Sequence, residues 1–546
     1  MLKVFTIARQ GSRLLFISLL LVTVISQFGG CTSSDGSNDP QTETPIKHLV
    51  IIFMENSSFD LIFGTYPIAL NPPGEPEFIP HPGTPSVNNL TGVLLTDNPN
   101  ETNPFLIGRL QSYTCDQDHD YTREQLARNG GLMNQFVRFD AEPPFNSRQF
   151  CSQNELGHWD TVMGYFDGNT VTALWNYAQY YAISDNFFAT SPGKSVRGAL
   201  NLTAGDTFGV VCGKQRNVIG PDIPSCGGMA NSTDILAPTN GNLATINNDL
   251  DPFWDVCSDF SENGTAALSD RPTIGDLLND AGITWGWFQG GFTPDSEGNC
   301  SSEHPLVAFD LATGVDPETD PLRFQDYVAI HNPFQYFRST ANPQHLPPSS
   351  ISMIGQTDQA NHQYDITNLW EAADSGNLPT VVFIKPPAYQ NGHPGNSNPL
   401  DAQVFIVETI NGLMSLPEWE DMAIFIAWDD SDGWYDHVMP PIINKSATAY
   451  DFLCGRSSDG PGGRCGYGPR LPFLVISPYA KENFVSSAIK DQTSITRFIE
   501  DNWLNGQRLT DISFDNKANS LLDMFDFSES RADNLFLDPF TGQPVN

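Results

Sequence analysis

AIFIAWDDSDGWYDH, residues 423–437, begins with six apolar residues, Ala423 to Trp428, and then places four aspartates within eight positions. The apolar run is rich in β-branched and aromatic side chains and reads as a strand buried on both faces. Three more runs share its character: HLVIIFM (48–54), TVVFI (380–384) and LPFLVIS (471–477). Helical patterns lie between them. Ile406, Ile410 and Leu413 recur at i, i+4 and i+7 in PLDAQVFIVETINGLM, and Ile495, Phe498 and Ile499 share a helical face in TSITRFIEDNW. This alternation predicts an α/β fold, a mostly parallel central sheet with helices on both faces.

Open sheets of this kind bind ligands beyond the carboxyl ends of their strands. HLVIIFM runs into Glu55-Asn56, and MAIFIAW (422–428) runs into Asp429-Asp430. Neighbours within a strand point to opposite faces, so the two aspartates converge only where the chain turns, and Ser431-Asp432-Gly433 suits a turn. Two carboxylates about 4 Å apart repel by roughly 4 kcal/mol at an effective dielectric near 20. Either one binds a proton or a cation sits between them. With Glu55 and the amide oxygen of Asn56, the set is all oxygen, suited to one divalent ion such as Ca²⁺, Mg²⁺ or Mn²⁺; zinc would call for histidine or thiolate. An acidic turn alone is usually a solvated loop, and what sets this one apart is its start at a buried edge.

DNFFATSPGKSVRGALNLTAGDT (185–207) supplies a nucleophile candidate, Ser195, before a predicted helix start. A helix N-terminus offers free N–H groups to phosphate, although a serine there is most often only an N-cap. Of ten histidines, His119, His331 and His362 lie in dense polar and aromatic surroundings. Lys194, Arg197 and Lys385 are among few cations and could offset the repulsion of an anionic substrate.

The 546 residues carry 64 acidic and 27 basic side chains, a net charge of −37, which disfavours nucleic acid and anionic membranes as general partners. Lys3, Arg9 and Arg13, the apolar LLFISLLLVTVISQF and the closing GGC make residues 1–31 an export signal, too short in its apolar part for a membrane span. Cys31 resembles a lipoprotein processing site, which predicts an exported, periplasmic or cell-surface protein anchored through a lipid; an ordinary cleaved signal is the alternative. Residues 32–45 read as a flexible tether and 46–546 as one domain, with an insertion or cap at about 206–350 that is rich in Gly, Pro, Asn and Asp. Eight cysteines remain, and an even count in an exported chain predicts disulfides; nearest neighbours give 115–151, 212–226, 257–300 and 454–465.

IKHLVIIFMENSSFDLIFGTYP, YFDGNTVTALWNYAQYYAISDNFFAT, GALNLTAG, ITWGWFQGGF, FQYFRSTANPQHLPPSS, TDQANHQYD, WDDSDGWYDH and GYGPRLPFLVISPYAK, in that order from about 46 to 506, together resemble the bacterial phosphoesterase family of phospholipases C and acid phosphatases. The resemblance implies an alkaline phosphatase-like fold and metal-dependent hydrolysis of phosphomonoesters or phospholipids. It implies Glu55, Asn56, Asp429 and Asp430 as metal ligands and Ser195 as a nucleophile that also meets the metal. His119, His331 and His362 would line the site, one of them protonating the leaving group. Three positions depart from the family pattern: Ser57 replaces Arg or His, Lys194 replaces Pro, and Ile330 replaces a second histidine. The missing groups at 57 and 330 leave an alternative, a catalytically silent surface lipoprotein or binding scaffold on the same fold.

Overall fold

The four apolar runs lie side by side. In an eight-stranded sheet the order is 363–365, 285–289, 381–385, 48–54, 422–428, 473–476, 182–184 and 484–486. The computed structural model describes residues 42–141, 161–213, 235–236, 244–259, 265–268, 271–300, 302–316, 319, 323–443 and 466–545. Only the Phe473–Ile476 strand runs against the other seven, pairing antiparallel with Met422–Trp428 and with Ala182–Ser184. The sheet is mostly parallel because helices and long crossovers connect its strands. Every residue of Val381–Lys385 and Met422–Trp428 is buried, so both faces of the sheet's centre are covered. The Pro399–Met414 and Gln492–Trp503 helices contribute Ile406, Ile410, Leu413, Ile495, Phe498 and Ile499 to the main core.

Register sets where the strands end. Met54 pairs with Trp428, so Glu55 and Asp429 leave the sheet at one level. Ile52 pairs with Ile384, which brings Lys385 to the same edge.

A second sheet of five strands, ordered 235–236, 244–246, 208–213, 265–268 and 251–252, falls within the 206–350 stretch. That stretch does not stand wholly apart from the main sheet. Its fully buried Trp285–Gln289 strand pairs in parallel with Val381–Lys385, because WGWFQ has the bulk a central strand requires. Cys257 and Cys300 form a disulfide, and Cys115 is also disulfide-bonded. The pairings 115–151, 212–226 and 454–465 each include a position outside the described residues, and the signal segment with Cys31 and the tether up to residue 41 lie outside them as well. No helix among the described residues is long and apolar enough to cross a membrane.

Candidate active site

Three strand ends and one helix start build the site. Asn56 adopts φ 55°, a left-handed conformation that asparagine tolerates, and turns the chain just after Glu55. Its backbone N–H donates to Asp429 Oδ1 at 3.1 Å, and the Ser57 N–H donates to the Asp430 carbonyl at 3.0 Å. The two strand ends are thus bonded to each other. The Ser195–Ala204 helix reaches them through Gly198, where a Cβ would come within 2.0 Å of the Asp429 carbonyl oxygen. Any larger residue would hold the helix away.

Ser195 Oγ lies 3.2 Å from Glu55 Oε2 and 3.1 Å from Asp430 Oδ2 and can donate to either. Lys385 Nζ ion-pairs with Glu55 Oε1 and lies 3.4 Å from Asp429 Oδ2. His331 Nε2 is 3.3 Å from Glu55 Oε1, and His119 Nε2 is 3.6 Å from Asp430 Oδ2. All seven of these side chains, and Asn56, are buried. The structure thus brings Glu55, Asn56, Ser195, Asp429, Asp430, His119 and His331 together in one cluster.

Burial shapes their ionisation. Desolvation lifts the Glu55 carboxyl well above its usual range, with Asp429 adding to it and Lys385 opposing. Desolvation lifts Asp430 likewise, against His119, and lifts Asp432 together with Asp116. Burial also works against the charge on Asp429, but Lys385 foremost outweighs it and brings the group down to about 2. For His119, burial favours the neutral ring, yet Asp430, Asp116 and Asp249 prevail and raise it to about 9. His331 goes the other way: desolvation and Lys385 hold it well below the usual histidine range, so its ring is neutral.

The donor set fits a hard divalent cation. Among the described residues, four buried carboxyls, Glu55, Asp429, Asp430 and Asp432, meet three basic side chains, Lys385, His119 and the neutral His331. Asn56 Nδ2 donates to Asp432 Oδ1 at 3.0 Å, which fixes the amide's orientation and leaves the buried Oδ1 with no hydrogen-bond partner. An orphaned amide oxygen beside excess carboxylate is what an oxygen-coordinated ion would satisfy. Asp116, His119 and Asp432 extend the cluster, with ligand atoms within 4.8 Å of one another.

His362 is a correction. Its Nδ1 bonds the Trp285 carbonyl at 2.9 Å, its Nε2 bonds Thr357 Oγ1 at 3.1 Å, and its ring stacks on Trp285. It precedes the Gln363–Asp365 strand, and Gln363 is in register with Trp287. That level corresponds to Ile51 on the Glu55 strand, four residues and about 13 Å back at about 3.3 Å per residue. His362 therefore lies toward the amino ends of the strands, away from Ser195. The residue not singled out is His393, whose ring lies 6.5 Å from that of His331. It belongs to the loop after Val381–Lys385, and the Asn391 carbonyl of that loop accepts the Glu55 N–H at 3.0 Å. Its place just beyond a strand's carboxyl end was the available signal. Arg197 is also not a site cation, since it bonds Ser191 and the Ile246 carbonyl and stacks over Tyr121.

The phosphoesterase family model matches residues 46–504. A non-hemolytic phospholipase C of Burkholderia pseudomallei is 34% identical over 244 residues, which cover 42% of this chain and 31% of that protein. The aligned stretch thus spans less than a third of that relative. Phospholipase C B of Mycobacterium tuberculosis is 23% identical over 478 residues, covering 84% of this chain and 73% of that one. Among solved structures, a protein in the alkaline phosphatase superfamily from Vibrio parahaemolyticus is similar at 12% identity and TM-score 0.25, over 61% of this chain and 60% of that one.

Proposed function

This chain belongs to the phosphoesterase family, and on that premise we propose that it hydrolyses phosphate esters through a phosphoserine formed on Ser195. The observation that carries the reading is the position of Ser195 Oγ, at 3.2 Å from Glu55 and 3.1 Å from Asp430 and at the start of a helix. The relatives named phospholipase C favour a phospholipid over a soluble phosphomonoester. A catalytically silent scaffold has no use for a serine held between two buried carboxyls.

Glu55, Asn56, Asp429, Asp430 and Ser195 would hold one divalent ion, Ca²⁺, Mg²⁺ or Mn²⁺, which when bound offsets phosphoryl charge and favours the serine alkoxide. The chain's own residues do the rest. Ser195 loses its proton to Asp430 or Glu55, whose carboxylate oxygens lie 3.1 and 3.2 Å from its Oγ. The Oγ–P bond forms in line as the bond from phosphorus to the leaving oxygen breaks. His119, which carries a proton at neutral pH, gives it to that oxygen, help typically worth about 10² to 10⁴ in rate. Water then attacks phosphorus and the Oγ–P bond breaks. The proton lost by the water returns to His119, and Ser195 regains its own from the carboxyl that held it. His331, neutral, braces Glu55 with Lys385.

The test is hydrolysis of p-nitrophenyl phosphate and of phosphatidylcholine, with and without chelator, followed by an acid quench and intact-mass measurement for phosphoserine. Cleavage that needs a divalent ion and leaves a phosphorylated Ser195 supports the reading. Failure to cleave either ester with any of the three ions would sink it. Export and lipidation at Cys31 belong to the same reading and are checked by mass spectrometry of the mature N-terminal peptide.

A further inference from the structure

The peptide nitrogen just after the candidate nucleophile is already engaged. The Val196 N–H, in the first turn of the ten-residue Ser195–Ala204 helix, donates to Asp249 Oδ1 at 3.1 Å. Asp249 comes from the second sheet, between its Ala244–Ile246 and Asp251–Pro252 strands. The same carboxylate interacts with Lys194 and His119. A helix-start amide, an ammonium and an imidazolium are groups suited to phosphoryl oxygens. Here a half-buried carboxylate occupies the amide beside Ser195 and lies in the field of both cations, whose ion pairs are with Asp120, Asp430 and Asp432.

This arrangement distinguishes two kinds of phosphate ester. A phosphomonoester carries about −1.5 to −2 charge at pH 7, its second pKa being about 6. A phosphodiester has that oxygen esterified and carries a single negative charge. Both must bring phosphorus to Ser195 Oγ, next to the Val196 amide. The extra anionic oxygen of a monoester would then meet the Asp249 carboxylate on the Val196 amide, while the esterified oxygen of a diester brings no charge there. Repulsion between like charges at such range is strong in a part-buried setting, and the net charge of −37 works in the same direction. Neutralising or removing Asp249 leaves the nucleophile and the candidate metal ligands untouched.

We propose that Asp249 is a specificity-determining residue that steers Ser195 toward singly charged phosphodiesters and against phosphomonoesters, an inference that rests on the phosphoesterase reading above. The full chain with added divalent ion is assayed on p-nitrophenyl phosphate and on methyl p-nitrophenyl phosphate, a singly charged diester with the same leaving group. Asp249→Asn keeps an acceptor for the Val196 N–H and loses the charge. It raises kcat/KM for the monoester relative to the diester on the order of tenfold, and inorganic phosphate becomes a tighter competitive inhibitor by a similar factor. Asp249→Glu keeps the parent's ratio. If circular dichroism shows Asp249→Asn unfolded, Asp249→Ser, whose hydroxyl can cap the same amide, takes its place. An unchanged monoester-to-diester ratio in the neutral variant overturns the inference and leaves the phosphoesterase reading standing. A parent chain that cleaves neither ester overturns both.

Discussion

Ser195 Oγ and Asp430 Oδ2 lie 3.1 Å apart although 235 residues separate them in the chain. The contact joins a helix start to a strand end, and four further side chains, Glu55, Lys385, His119 and His331, meet these two or their immediate partners. Removing the hydroxyl tests the contact most directly. Ser195→Ala lowers kcat on the order of 10³-fold or more while circular dichroism stays that of the parent. Near-normal turnover in that variant would remove Ser195 from the reaction.

Asp430 and Asn56 report on the ion. Asp430→Asn weakens divalent-ion binding by at least about tenfold, measured by calorimetry on the folded, ion-free protein. Asn56→Leu, which deletes the orphaned Oδ1, does the same. Parent-like isotherms in both would show that the ion, if bound, sits elsewhere.

Lys385 stands between Glu55 and Asp429 with its ammonium fully buried. Lys385→Met leaves two carboxyls without their nearest cation, a change that destabilises by about 3–5 kcal/mol when a buried pair is broken. Added Mn²⁺ or Mg²⁺ restores part of the lost melting temperature, and more in the variant than in the parent. Thermal unfolding with and without the ion decides; equal shifts in both proteins contradict the arrangement.

Gly198 permits the helix to touch the strand end, since a Cβ there would stand 2.0 Å from the Asp429 carbonyl. Gly198→Ala lowers stability by about 1–3 kcal/mol or more, read from urea midpoints, and lowers activity with it. A variant that matches the parent in both would mean that the helix can retreat without consequence.

Glu500 sets a pH dependence away from the site. Burial foremost, then Asp515, push its carboxyl from 4.5 up to about 9, against Arg508. The unfolded chain releases this proton near pH 4.5 and the folded chain holds it, so between those values the folded state binds more protons. Stability from this group therefore falls as pH rises from about 4.5 to about 9. Asp515→Asn removes the adjacent negative charge and flattens that slope; urea midpoints from pH 5 to 8 measure it. Parallel pH profiles for variant and parent would contradict the assignment.

Much of this was legible from local pattern. The Met422–Trp428 and His48–Met54 strands and the Pro399–Met414 helix follow the residues their apolar runs and spacing indicate, because burial on both faces leaves little choice of period or length. Ser195 and two of the three histidines singled out, His119 and His331, lie against those strand ends. His362 went astray because a dense polar-aromatic context does not say at which end of a strand it lies. His393 and Asp249 were passed over because loop residues carry no periodicity.

The sequence alone determined that strands end in carboxylates, since the chemistry of Glu55, Asp429 and Asp430 is written in adjacent residues and needs no partner to be recognised. Only the tertiary structure decided which basic groups face them, Lys385 and His119 close by and His362 far off, and that Asp249 holds the amide beside Ser195. The physical reason is that side-chain identity is local, while electrostatic energy depends on distance, and distance between remote residues exists only once the strands are in register.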